Sequence, residues 1–240
     1  MVTLADIGQK SEIERWAKTE GSKVHYMTLD SQLRCNGSDG YLAWLENTLQ
    51  IRETVNSMLD VNDYDFRVLD SPNDLKDLIF EKNKENNKAR MVAGYCWDWA
   101  SDKNPVAYDI VMREFNFAMR WNLKTDGSLW MISPNSVNEI RCIHTCQGLE
   151  ADYIGVITGE DLLVRDGKVI TNPYKRSKND SLVKGYKKRL KENPIESAVL
   201  LDKIIKYTYR ALMTRGMKEC YIYCTDEETS QFFKSLISSQ

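Results

Sequence analysis

The chain has 240 residues, 42% of them hydrophobic and 28% charged, an ordinary globular profile that fits one core or one core with an appendage. No apolar run is long enough to cross a bilayer, Met1 to Lys10 lacks the basic and apolar regions of a signal peptide, and six cysteines are too sparse for a disulfide framework, so the reading is a soluble cytoplasmic protein with no membrane partner. A net charge of -2 excludes a global nucleic-acid footprint, and any grip on phosphates has to come from a local patch of Lys and Arg.

In chain order, Asp6 to Gly8 followed by Ser11, Glu12, Ile13 and Trp16 predicts a capped amphipathic helix ending near Gly21. The alternation over Lys23 to Leu29 predicts a strand, with His25 on its surface. A polar turn from Asn36 to Gly40 leads into a helix carrying Tyr41, Leu42, Trp44, Leu45 and Leu49 at helical spacing. A strand at Phe66 to Leu69, a helix opened by Ser71-Pro72 and running to about Asn86, and a strand at Ala89 to Tyr95 follow. That alternation predicts a parallel sheet covered by helices.

Residues 96–140 hold short β-like runs, Tyr108 to Arg113 and Ser128 to Ile132 among them, and read as an irregular β excursion. A short strand to Ile143, a loop containing Gly148 and a buried strand at Tyr153 to Thr158 come next. Asp161 to Ile170, with Asp166-Gly167 at its centre, reads as a hairpin; a long helix from about Glu196 to Thr214, a strand from Glu219 to Cys224 and a closing helix complete the chain.

Three stretches carry chemistry. His144-Thr145-Cys146-Gln147-Gly148-Leu149-Glu150 lies between two strands, where the glycine lets the backbone come close to a ligand while Gln147 and Glu150 offer amide and carboxylate partners. Tyr209 to Gly216 ends a helix just before a strand and carries Arg215, whose planar fork stays charged and suits phosphate oxygens. Leu29-Asp30-Ser31-Gln32-Leu33-Arg34-Cys35 carries a second such arginine, Arg34.

These stretches resemble motifs V, VI and IV of the superfamily 1 helicases, in the right order and on the right elements. Gln32 to Gly40 and Leu212 to Met217 are more specifically similar to the Schlafen-group-3-like DNA/RNA helicase family. The resemblance implies a three-layer α/β RecA-like P-loop fold with a mainly parallel sheet, of which this chain is the second motor domain over 23–240, with 1–22 as the tail of a first motor domain or a linker helix. It implies that Arg34 and Arg215 face the γ-phosphate of ATP, that Gln147, Gly148 and Glu150 lie at the nucleotide, with Glu150 near the ribose, and that His144 and Thr145 lie at DNA or RNA, single-stranded in this reading.

The sequence departs from the family pattern at Cys142, where motif V opens on Thr, and at Gly216-Met217, where many helicases have Ala-Arg. It also contains no Gly-x-x-x-x-Gly-Lys-Ser/Thr loop to cradle phosphates and position magnesium. The expectation is therefore that ATP and Mg2+ bind a longer protein whose first motor domain is missing here, and that this chain alone takes no cofactor and hydrolyses no ATP. The competing reading is an interaction or nucleic-acid-binding module that keeps the fold without the catalysis.

Within 161–195, read as a hairpin plus a basic insertion, Lys175, Arg176, Lys178, Lys184, Lys187, Lys188, Arg189 and Lys191 form a run that could track a phosphate backbone or simply face water. Tyr95 to Trp99 could stack bases, although paired tryptophans fit a core or rim as well. Gln147 and Glu150 could likewise cap a turn. Cys142 and Cys146 share a spacing with Cys220 and Cys224, but residues four apart on a strand share a face and need only be small buried side chains, so no metal site is assigned. Two histidines support no Ser/His/Asp or Cys/His arrangement.

Overall fold

A strand buried on both faces has to be largely apolar on both, and β2 (Ala89–Ala93), apart from its buried Arg90, and β6 (Ala151–Thr158) read that way. The computed structural model describes residues 10–26, 35, 38–104, 106–122, 130–146 and 150–238. With β1 (Asp65–Leu69), β3 (Ile110–Met112), β4 (Phe117–Trp121), β5 (Glu139–Arg141) and β9 (Gly216–Cys224), those two strands form a seven-stranded sheet in the order β1-β9-β6-β2-β5-β4-β3. Every pairing is parallel except that of β3 with β4.

Alternation along the strands sends side chains to two separate cores. Val92, Ile154, Val156, Cys220, Ile222 and Cys224 pack under α2 (Asp39–Thr48), α5 (Pro194–Met213) and α6 (Glu227–Ser235). Met91, Ala93, Tyr153, Ile157, Tyr221 and Tyr223 pack with Leu75 and Ile79 of α3 (Pro72–Asn86). Helices on both faces of one sheet make the fold a three-layer α/β domain. Cys220 and Cys224 are buried in the same core, as their spacing on a strand requires.

Helix α3 shows why the sequence punctuates where it does. The Ser71 hydroxyl accepts from Asp74 N at 3.0 Å, Pro72 occupies the first turn where no N–H is needed, and Asn87 ends the helix in the left-handed region at φ 58°. Gly155 lets this helix settle onto β6, since a Cβ there would lie 2.8 Å from Ile79 Cγ1. The first helix, α1, spans Lys10–Thr19 as expected.

The strand expected over 23–29 forms no pairing over 23–26, where Tyr26 instead donates its hydroxyl to Glu14 of α1, and 27–29 lie outside the described residues. The expected β excursion at 96–140 supplies β3, β4 and β5, short strands interrupted by 3-10 turns, and these extend the central sheet to its far edge. The β-like run at 128–132 behaves differently. Residues 128 and 129 lie outside the described residues, and Trp130 and Met131 turn their carbonyls onto the buried Arg90 guanidinium at 3.2 and 2.6 Å. Among the described residues no helix is long and apolar enough to cross a membrane.

The hairpin of β7 (Leu162–Arg165) and β8 (Lys168–Thr171) stands apart as its own two-stranded sheet. Its turn places Asp166 at φ 51° and Gly167 at φ 71°, the two positive values that match the twist of paired strands. Arg165 clamps it to α6 through both oxygens of Asp226, at 2.8 and 2.7 Å, and Asp226 also caps that helix by accepting from Thr229 N at 2.9 Å. The Arg165 hydrogen bonds are the main reason the Asp226 carboxyl is held down to about 2.

A lowered folded-state pKa stabilises the protein above the unfolded value and ceases to do so as pH falls through the folded one. The Asp226 contribution is therefore lost between its ordinary value of 3.8 and about 2. Asp226→Asn should lower the neutral-pH melting temperature and give an acid limb that is flatter than wild type in that window; parallel acid limbs would show that the clamp is not coupled to folding.

Candidate functional site

Parallel strands begin at one end of a sheet and finish at the other, so the residues that matter gather at two edges. At the starting edge, Ala151 N donates to Arg215 O at 3.0 Å and Ala151 pairs with Gly216. The pairing then slips, and the next registered pair is Tyr153 with Glu219. Gly216 sits in this irregularity, where a Cβ would lie 2.2 Å from the Glu219 carbonyl oxygen and 2.9 Å from the Tyr64 hydroxyl. Tyr64 meanwhile donates to Gly216 O at 2.8 Å. The glycine in place of the common alanine thus has a local steric reason.

Arg215 follows α5 by two residues and is 6% exposed. Its guanidinium faces the Cys146 thiol, which burial pushes up to about 12 against the opposing charge and hydrogen bond of Arg215. Cys35 is fully buried, with Sγ 3.8 Å from Thr214 O, and Tyr41 donates to Met213 O at 3.0 Å. Glu150, exposed, immediately precedes Ala151 and is therefore neighbour to Arg215. The structure brings together the segments that contain Cys35, Cys146, Glu150 and Arg215. Arg34, Gln147 and Gly148 lie outside the described residues.

Beyond the opposite ends of the strands, after β2, β5 and β6, lies a different arrangement. After β5 the chain turns through His144 and Thr145. Thr145 Oγ1 donates to Asn122 Oδ1 at 2.8 Å and its carbonyl accepts from Trp130 Nε1 at 3.0 Å, so Thr145 is tied into the fold. His144 Nε2 lies 2.9 Å from Asp180 Oδ1. Behind Asp180 sits Arg176, with Nε 2.6 Å from Asp180 Oδ2 and a terminal nitrogen 3.7 Å from Asp161 Oδ2, all three side chains fully buried. The approach is too poorly aligned to be a hydrogen bond, so the attraction is Coulombic. Burial alone would raise the Asp180 carboxyl; the His144 hydrogen bond and the Arg176 charge outweigh it and hold it below the ordinary value.

Tyr209 of α5 completes the cluster. Its hydroxyl donates to Asp161 and accepts from Gly159 N at 2.9 Å, and it reaches there because Gly94 has no side chain: a Cβ would lie 1.9 Å from that oxygen. Sequence reasoning missed this cluster. Asp161 read as the start of a hairpin and Asp180 as a break in a basic run, and nothing in the sequence pairs them.

The basic segment divides accordingly. Arg176, expected on a phosphate backbone, is instead 6% exposed inside the fold, because two carboxylates meet it there. Lys175 pairs with Glu160 on the surface. Lys184, Lys187, Lys188 and Arg189 are exposed on and beside α4 (Tyr186–Glu192), which packs along α5. Trp97 and Trp99 are half-buried against the core that contains Trp121, a rim position and not an open platform.

The fold is a three-layer α/β domain on a mainly parallel sheet, and comparison with known families says which one it belongs to. The profile described as Schlafen group 3, DNA/RNA helicase domain, matches residues 1–226, and the chain belongs to that family. It is also similar to the uncharacterized protein YPL245W of Saccharomyces cerevisiae, 25% identical over 170 residues. That alignment covers 70% of this chain and 36% of the yeast protein, so the chain spans about a third of its relative.

Removing one partner of a buried charge cluster leaves the others uncompensated. Arg176→Met should lower the unfolding free energy by about 3–5 kcal/mol in urea, and Tyr209→Phe by about 1–3 kcal/mol. A surface arginine replaced by Met would change it by less than about 0.5 kcal/mol, and that result would remove Arg176 from the core.

Proposed function

We propose that this domain is the second motor domain of a superfamily 1-like, ATP-dependent DNA or RNA helicase or translocase, closing over ATP held by a Walker A domain elsewhere in a longer protein. The observation that carries the reading is the meeting of three motif-bearing segments at one sheet edge, where Cys35 touches Thr214 and Arg215 faces Cys146. Arg215, and Arg34 one residue before Cys35, would stabilise charge developing on the γ-phosphoryl oxygens, and Glu150 would take the ribose hydroxyls.

The residues at this edge fit part of a nucleotide only. A guanidinium and a carboxylate suit a triphosphate end and a sugar, but the sequence has no phosphate-cradling loop, so magnesium and most of the affinity would come with the first domain. When bound, Mg-ATP would supply the phosphoryl group whose transfer to water drives the cycle. This chain's part would be to bring Arg215 up on closure and to exclude water from the cleft. Alone it would hydrolyse nothing. Six cysteines held as free thiols suit a reducing cytoplasm.

The burial of Arg215 favours a second reading, in which that side chain is committed to packing and the domain serves as a binding module. The two separate in one assay. In the longer protein, Arg215→Ala should lower nucleic-acid-stimulated ATP turnover by about 10³-fold with the nucleic-acid Kd little changed; unchanged turnover would exclude the motor role and leave the module.

A further inference from the structure

With Arg176 drawn inward, the turn that carries it has a rigid root. Arg176 is gripped by Asp161 and Asp180, Ser177 N donates to Tyr95 O at 2.8 Å, and Ser177 Oγ donates to Asp98 Oδ1 at 2.6 Å. Three residues before Arg176, Pro173 opens a 3-10 turn whose first free N–H, that of Tyr174, is taken by Asn172 Oδ1 at 3.0 Å. The backbone on both sides of Tyr174 is thus fixed from inside.

The Tyr174 side chain points the other way. It is 64% exposed, and its ring meets Tyr186 edge-on at 5.4 Å and 70°. One face of a supported aromatic ring is left to solvent, next to a cationic surface. Lys187 lies 5.9 Å over the Tyr186 ring, Lys184 and Lys188 are exposed, Lys188 reaching Glu192 at 3.7 Å on the surface, and among the described residues Lys184 and Lys187 have no carboxylate within ion-pair distance. Such a pairing of open ring and unneutralised lysines matches a nucleotide with its base free and its phosphate on the strand: every base has a π face, and a base inside a duplex cannot present it.

We infer that Tyr174 is a base-stacking residue of a single-stranded nucleic-acid site whose phosphates lie on Lys184, Lys187 and Lys188. The inference rests on the nucleic-acid half of the motor reading. It replaces Trp97 and Trp99 as the platform and gives the basic segment a preference for unpaired strands.

The test is fluorescence anisotropy on the whole 240-residue chain, with a labelled oligothymidylate of about fifteen nucleotides and an abasic strand of equal length, over a series of salt concentrations. Wild type should bind the base-bearing strand about ten-fold more tightly. Tyr174→Ala should abolish that preference while leaving abasic binding and the salt slope unchanged, and Tyr174→Phe should keep it. Lys187→Gln with Lys188→Gln should instead lower the slope by about 1.4 and leave the base preference intact. Equal binding of the two strands by wild type, or equal weakening of both by Tyr174→Ala, overturns the stacking role and leaves the ATPase prediction for Arg215 untouched. Binding of neither strand overturns the nucleic-acid site altogether.

Discussion

The parallel pairing of β6 with β9 governs where the chemistry can be. Two strands running the same way must begin side by side, so whatever precedes β6 is forced against whatever precedes β9. Here those are Glu150 and Arg215, remote in sequence and joined by the bond from Ala151 N to Arg215 O. The slip after Ala151 requires a residue without a side chain at 216, where the crowding of Glu219 O and the Tyr64 hydroxyl leaves no room for a Cβ. The core beneath, with Cys35, Tyr41, Tyr64 and Cys146, keeps this edge apolar behind the arginine. A guanidinium so placed meets a lower dielectric than one in water, which strengthens every electrostatic interaction it makes.

The opposite edge is held by charge. Arg176 has lost its water, and the two carboxylates Asp161 and Asp180, brought from separate segments, are the main compensation for that loss. Tyr209 adds α5 to the arrangement and His144 adds the turn after β5. One buried cluster therefore connects α5, which ends two residues before Arg215, with the loop that follows β5. The two edges of the sheet are mechanically joined through α5, and the surface insertion around Tyr174 is anchored to the same point.

Much of this was legible in the residues where local rules act alone. Ser71, Pro72 and Asn87 mark both ends of α3, and Asp166-Gly167 marks the hairpin turn, because caps and positive φ depend on neighbours in sequence. The motif stretches pointed to the family for a similar reason: each is a short local pattern. Arg176 was not legible. A cation in a run of lysines reads as surface, and its carboxylates are identifiable only after folding has brought three segments together. The same holds for 96–140, where β5 spans only Glu139–Arg141 and where β4 and β5 acquire their role by pairing with each other and, for β5, with β2.

The order of strands also bears on how such a chain comes into being. Asp65 of β1 lies opposite Glu219 of β9, so an early strand has no partner until almost the last one has been made. Until β9 is in place, β1 has no ladder and one side of β6 is a bare row of amides and carbonyls. Topologies of high contact order pay for loop closure before the contacts that reward it, and fold slowly as a result. A chain cut short before residue 216 would lack the strand that lies between β1 and β6, and both would be left with an unpaired edge open to other chains.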